Sequence, residues 1–233
     1  MTDKEKLLYT IKQFFRDSVV NNHIRNVKNL RLSDFNRNPF LETYLANFAF
    51  GDASPESVAK ILVYPRILGT SITTTFGTQV QNLCHTVLSG YASTTSGMDI
   101  EYTSAIDGEM KYCQMKAGPK TINKDDVKTI CDHFKNAKNL GRTNKKRIYD
   151  DDCVVGVIYG THSDLSAHYR AIEQEGYTVL AGSEFWRDFT GDPKFYDDLI
   201  KCFAEVAVET QSGLFDKAVK RIADDLRKEH LQY

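Results

Sequence analysis

The run Cys153-Val154-Val155-Gly156-Val157-Ile158-Tyr159, bounded by Asp151 and Asp152 before it and by Gly160 after it, restricts the fold more than any other stretch of the chain. An unbroken apolar run of strand length predicts a strand buried on both faces, and a sheet buried in that way needs helices on both sides. The sequence supplies them. Leu7, Leu8, Ile11, Phe14, Phe15 and Val19 recur at three- and four-residue steps, and Pro55 after Ser54 opens a short helix carrying Val58, Ile61 and Leu62. From Thr70 to Ser89 one stripe holds Phe76, Val80, Leu83, Cys84 and Val87, with Gly90 as the stop. Asn123 caps a helix whose first turn carries Asp125 and Asp126, with Val127, Ile130, Cys131 and Phe134 turned inward. Tyr177 to Ala181 reads as a weaker strand. Asp192-Pro193 starts a helix burying Phe195, Leu199, Ile200 and Phe203, and another helix runs from Leu214 to Leu226. The expected class is α/β, a mixed central β-sheet flanked by helices with helical N- and C-terminal additions. No Pro/Gly/Ser-rich break divides it, so residues 1–233 are expected to form one domain.

Two further strands, Met98 to Tyr102 and Lys111 to Ala117, flank Asp107-Gly108, the dipeptide favoured in two-residue hairpin turns. With that turn Ile106 pairs with Glu109, Asp99 stands opposite Lys116, and Glu101 stands opposite Gln114. Alternation along the strands then sets Asp99, Glu101, Gln114 and Lys116 on one face.

Composition matters mainly for what it excludes. With 41% hydrophobic and 26% charged residues the chain is globular rather than disordered. It has no apolar block long enough for a membrane span and no secretory leader ahead of Phe15, so the expected location is the cytoplasm. Five widely spaced cysteines, Cys84, Cys113, Cys131, Cys153 and Cys202, contain no CxxC pair and are expected as buried thiols. The net charge of -1 argues against a uniformly positive nucleic-acid coat, but Lys111 to Arg147 holds eleven basic residues against three acidic ones.

Carboxylates at 99 and 101, an amide oxygen at 114 and an ammonium at 116 form a set suited to metal-assisted phosphate chemistry. A hard cation such as Mg²⁺ takes oxygen ligands, and a lysine offsets charge in the transition state. Other constellations are absent: there is no GxSxG elbow and no P-loop. His162 and His168 are six residues apart, which fits no helical metal face. Trp186 with Phe185 and Phe189 is expected in the core.

Gly97-Met98-Asp99-Ile100-Glu101, followed after the hairpin by Gln114-Met115-Lys116, resembles the active-site signature of the PD-(D/E)XK nuclease superfamily. Phe76-Gly77-Thr78-Gln79-Val80-Gln81, the run Lys116 to Asn123, the strand Val154 to Gly160 and Phe185 to Asp192 are similar to one branch of the type II restriction endonucleases. The resemblance implies a restriction-endonuclease-like core over 69–200, preceded by a helical region over 1–68 and followed by C-terminal helices over 201–233. It implies Mg²⁺-dependent hydrolysis of both strands of DNA at a short specific sequence, leaving 5′-phosphates. Asp99 is then the main metal ligand, Gln114 the second, and Lys116 the catalytic lysine, with Met115 counted in the metal-binding set. Met98 replaces the proline of the pattern name. Gln114 stands where the family carries Asp or Glu and brings no charge, and the expected register offers Glu101 across the hairpin to complete the site.

Gln81 matches a helix position that contributes near the metal. Lys120, Lys124, Arg142, Lys145, Lys146 and Arg147 are candidates for phosphate contact, and Asn123 for a base edge. A homodimer suits a palindromic site, and a cognate methyltransferase is expected to protect host DNA. A repair or junction-resolving nuclease with the same core, or an inactive DNA-binding protein, is the alternative.

Overall fold

A computed structural model describes residues 2–88, 90–209 and 213–230. The chain divides into two compact units, Met1–Lys12 with Gly77–Ala204, and Gln13–Phe76 with Glu205–Tyr233.

The first unit is built on a five-stranded sheet in sequential order β1 (Tyr91–Ala92), β2 (Ile100–Thr103), β3 (Met110–Lys116), β4 (Cys153–Val157) and β5 (Thr178–Ala181). The first two pairings are antiparallel and the last two parallel, so the sheet is mixed as expected. Every residue of β4 is buried. Helix α6 (Lys124–Thr143) crosses from β3 to β4, and the short helix α7 (Ala167–Gln174), an element beyond those expected from the sequence, crosses from β4 to β5. On their side of the sheet Phe134, Ile130, Tyr169 and Ile172 pack against Tyr112, Val155 and Val179. On the other side lie α5 (Ser71–Thr86) and α8 (Ser183–Thr190). There Tyr102 meets Phe189 edge-on at 4.8 Å, Phe185 stands 5.1 Å from Trp186, and the indole N–H donates to Ile158 O at 2.9 Å. The aromatic cluster is core, as expected.

Two local features organise this unit. Asn123 caps α6 as its sequence predicts, its side-chain oxygen accepting from the N–H groups of Asp125 and Asp126 while Asp126 accepts from the Asn123 N–H. Gly182, at φ +51°, leads into α8 so close to the preceding β4 loop that a β-carbon there would lie 2.0 Å from Gly160 O. Only glycine permits that approach.

The hairpin register differs from the expected one. Ile100 pairs with Cys113, Glu101 with Tyr112, Tyr102 with Lys111 and Thr103 with Met110, a slip of two residues. A two-residue type I′ turn needs positive φ at both central positions, and among the described residues Lys145 alone has positive φ without being glycine, so Asp107 does not adopt it. Ser104 N–H instead donates to Glu109 O, and the intervening residues form a longer loop. Ser104 Oγ accepts from the Ile106 and Asp107 N–H groups, while the Asp107 carboxylate accepts from Glu109 N–H and pairs with Lys111 at 2.7 Å. Because the slip is even, side chains keep their faces. Glu101 therefore opposes Tyr112, not Gln114, and Asp99 does not oppose Lys116.

In the second unit α2 (Asn21–Asn29), α3 (Pro39–Phe50), α4 (Pro55–Pro65) and α10 (Leu214–His230) surround a separate apolar core of Val27, Leu30, Val63, Ile67, Ile222 and Leu226. Arg221 donates to the Val27 and Leu30 carbonyls at 2.9 and 3.1 Å, satisfying groups that the end of α2 leaves unpaired. Helices α1 (Asp3–Phe15) and α9 (Phe195–Glu209) belong for the most part to the first unit. In α9 Phe195 and Leu199 are buried as expected, but Ile200, one residue further round, is exposed.

Candidate active site

The sheet face that carries alternate residues of β3 holds Tyr112, Gln114 and Lys116, and the antiparallel pairing brings Glu101 and Asp99 to the same face. Asp99 immediately precedes β2 and is fixed to β3 twice: its N–H donates to Cys113 O at 2.9 Å, and its Oδ2 accepts the Met115 N–H at 2.7 Å. Burial pushes the Asp99 carboxyl above the usual carboxylate range, an effect opposed by the Met115 N–H and by the nearby Lys116 ammonium. Lys116 is half-buried at the end of β3, and its carbonyl accepts the Ile158 N–H at 3.0 Å. Asp99, Gln114 and Lys116 thus converge at one end of adjoining strands.

His133 joins them without having been singled out from the sequence. It sits midway along α6, where its Nδ1 accepts from Gln114 Nε2 at 3.2 Å. Fixing the amide nitrogen in this way leaves Oε1 of the buried Gln114 to point elsewhere. Gly97, at φ +83°, passes so near the imidazole that a β-carbon would stand 2.4 Å from His133 Cγ. The signal that would have found His133 is the crossover itself, since α6 must cover the face that carries Gln114. Its 19-residue separation from Gln114 has no pattern to read.

Glu101 is committed to the loop before β2, its Oε1 accepting from Ser93 Oγ at 2.6 Å and Thr95 Oγ1 at 3.2 Å. Among the described residues no group of three or more His, Cys, Asp and Glu side chains is gathered to hold a metal ion. The donors near Asp99 are its own carboxylate, the Gln114 amide and main-chain oxygens, a hard-oxygen set that suits a cation of the Mg²⁺ type.

The basic residues are divided in use. Lys111 is buried and paired with Asp107 and Asp152, and Lys138 pairs with Asp150. Lys120, Lys124, Arg142, Lys145, Lys146 and Arg147 are exposed. They do not form one cluster, because Lys124 and Arg142 lie at opposite ends of α6, about 27 Å of helix apart. Lys146 lies 5.2 Å over the Tyr112 ring, and contact with Tyr112 together with the field of Glu101 raises its pKa. The basic segment therefore reaches the face that carries Gln114 and Lys116. Asn123 is exposed, with its side-chain oxygen occupied as the α6 cap. Gln81 is half-buried on α5, one turn beyond Gly77, where a β-carbon would be 4.0 Å from that of Ala117. The loop after β3 is held from behind. Tyr169 donates to Gly118 O at 2.8 Å, and the Tyr159 ring rests on Gly118.

All five cysteines are buried free thiols, as expected, and burial pushes the Cys153 thiol up to about 12. No helix among the described residues is long and apolar enough to cross a membrane.

Comparison of the sequence with curated proteins finds no match. A family model described as type II restriction endonuclease EcoO109I matches residues 7–211, which include both strands of the hairpin, α6 and the buried strand β4. With the match extending over most of its length, and an α/β sheet that holds Asp99, Gln114 and Lys116 on one face, the chain belongs to this family of type II restriction endonucleases, site-specific deoxyribonucleases that bind and cut DNA.

Proposed function

We propose that the protein hydrolyses both strands of DNA at a short specific sequence with Mg²⁺, leaving 5′-phosphates, and that it does so through a PD-(D/E)XK-type centre made of Asp99, Gln114 and Lys116. The observation that carries this reading is the latching of the Asp99 carboxylate onto the Met115 N–H, which holds it beside the strand end where Lys116 emerges. Asp99, Gln114 Oε1 and the Met115 main-chain oxygen are the ligands in this reading. A cation held there would lower the pKa of bound water and offset charge on the phosphate. Lys116 holds a phosphate oxygen or the attacking water and offsets the charge that builds in the transition state. His133 keeps the Gln114 oxygen aimed away from itself, and Glu101 acts on the site through the loop it secures or through a water. Gln81, on the α5 side of the sheet, approaches this centre past the end of β3 near Ala117. Lys120, Lys124, Arg142, Lys145, Lys146 and Arg147 grip the backbone, with Asn123 at the end of α6 nearest Lys120.

Two identical subunits present one such centre to each strand of a palindromic site. A cognate methyltransferase protects host DNA, and both proteins act in the cytoplasm. The test is incubation of the purified chain with phage DNA and Mg²⁺. Discrete, reproducible fragments are expected, and Lys116→Ala should abolish cutting while a cognate duplex is still retarded on a gel. Smearing or structure-selective nicking by the wild type would point to a repair enzyme, retarded but uncut DNA to an inactive binder, and either would overturn the reading.

A further inference from the structure

Helix α3 has its amphipathicity reversed. Its inward positions are Ala46 and Glu42, the helix's one charged residue, which is buried and held by the Arg37 guanidinium at 2.9 Å. Its outward face carries Phe40, Leu41, Tyr44 and Phe48, at 89%, 52%, 62% and 79% exposure, with the Tyr44 and Phe48 rings stacked at 6.0 Å. The helix is otherwise well specified. Asn38 caps it, Pro39 occupies its first turn, and Gly51 ends it at φ +81°. The outward aromatics are thus presented by a firmly built element, and not by a fraying segment.

We infer that this face is the surface through which two copies of the chain associate. The inference rests on the two-subunit reading above and assigns that reading a place on the molecule. At the usual size of such side chains, the four residues leave roughly 500–600 Å² of contiguous apolar surface, against about 800 Å² that each partner contributes to a stable interface. A patch of this size lies at the upper end of what a monomer exposes. The absence of any outward charge on α3 argues against nucleic acid, which needs cations, and against a lipid surface, for which interfacial helices carry Lys and Arg on the polar face.

The spacing also suits a twofold axis. Phe40 and Phe48 stand four residues to either side of Tyr44, so an antiparallel pair of α3 helices crossing at Tyr44 sets Phe40 of one copy against Phe48 of the other, and Tyr44 against Tyr44. Self-complementarity of this kind is what an isologous interface requires.

The test is sedimentation velocity on the full chain at micromolar concentration, with far-UV circular dichroism as the control for folding. The wild type should be a dimer. Phe40→Glu with Phe48→Glu should keep its helical spectrum and weaken association by at least ~100-fold, since like charges would then face one another across the axis. Tyr44→Cys supplies a second readout, because all five native cysteines are buried: mild oxidation should give a reducible covalent dimer. A monomeric wild type would overturn both this inference and the two-subunit reading. A double variant that stays dimeric, or Tyr44→Cys that does not cross-link while the wild type is a dimer, would overturn the inference and leave the two-subunit reading with another surface. Should the double variant lose its helical spectrum, the cross-linking result decides alone.

Discussion

The pairing of Gln114 with His133 is the residue-level feature that most changes how the centre is understood. An amide has one oxygen and one NH₂, and a ligand role needs the oxygen turned to the cation; the imidazole nitrogen accepting from Nε2 at 3.2 Å fixes that choice. His133→Ala should therefore leave DNA binding intact and lower kcat by about tenfold, the equivalent of ~1.4 kcal/mol in the barrier. A carboxylate has two equivalent oxygens and needs no such orientation, so Gln114→Glu in the His133→Ala background should restore the rate. Single-turnover cleavage beside a gel-shift titration measures both, and His133→Ala cutting at the wild-type rate would refute the assignment. Asp99, Gln114 and Lys116 were legible because they lie on neighbouring strands whose alternation a sequence displays. His133 was not, because its position depends on how a crossover helix lies on the sheet.

At the scale of elements, the hairpin shows what periodicity captures and what it misses. Alternation fixed the face of each side chain, and that survived a slip of two residues; the register depended on turn chemistry, which the Asp107-Gly108 pair misrepresented. The deciding groups are remote in sequence. Asp188 on α8 accepts from Tyr102 Oη at 2.7 Å and Ser104 Oγ at 2.6 Å, and its carbonyl accepts the Ala105 N–H at 2.8 Å. These bonds hold the end of β2 and open the loop by withdrawing Ser104 and Ala105 from a tight turn. Asp188→Ala leaves the buried Tyr102 hydroxyl without its acceptor and should cost about 2–4 kcal/mol, counting the loss of hydrogen bonds to a charged group. Urea denaturation would report it as a lower midpoint at unchanged slope, whereas an unshifted midpoint would mean that the hairpin is held by other contacts. The buried strand β4 and the capped helix α6 were legible for the opposite reason, since each is specified by residues within its own span.

For the whole molecule, balanced net charge conceals an uneven distribution. Of the exposed cations, Arg142 lies in the last turn of α6 and 145–147 just beyond it, and Ile148, buried against Gly141, pins the segment that carries the last three. If these three contact phosphates, the triple variant Lys145→Ala, Lys146→Ala, Arg147→Ala should weaken binding uniformly across DNA sequences and reduce the slope of log K against log salt by about 3. Fluorescence anisotropy across a salt series measures that slope, and an unchanged value would mean that the segment stands clear of the duplex.

The contact of Gly182 with the Gly160 carbonyl has a consequence far from either residue. Gly160 directly follows Tyr159, whose ring rests on Gly118, two residues beyond Lys116. A single methyl group at 182 has nowhere to go but into that chain of neighbours, forcing the segment behind the lysine to yield while leaving the side chains of the proposed centre chemically intact. Alanine at this position is accordingly the natural starting point for a conditional enzyme, one that cuts in the cold and falls idle on modest warming.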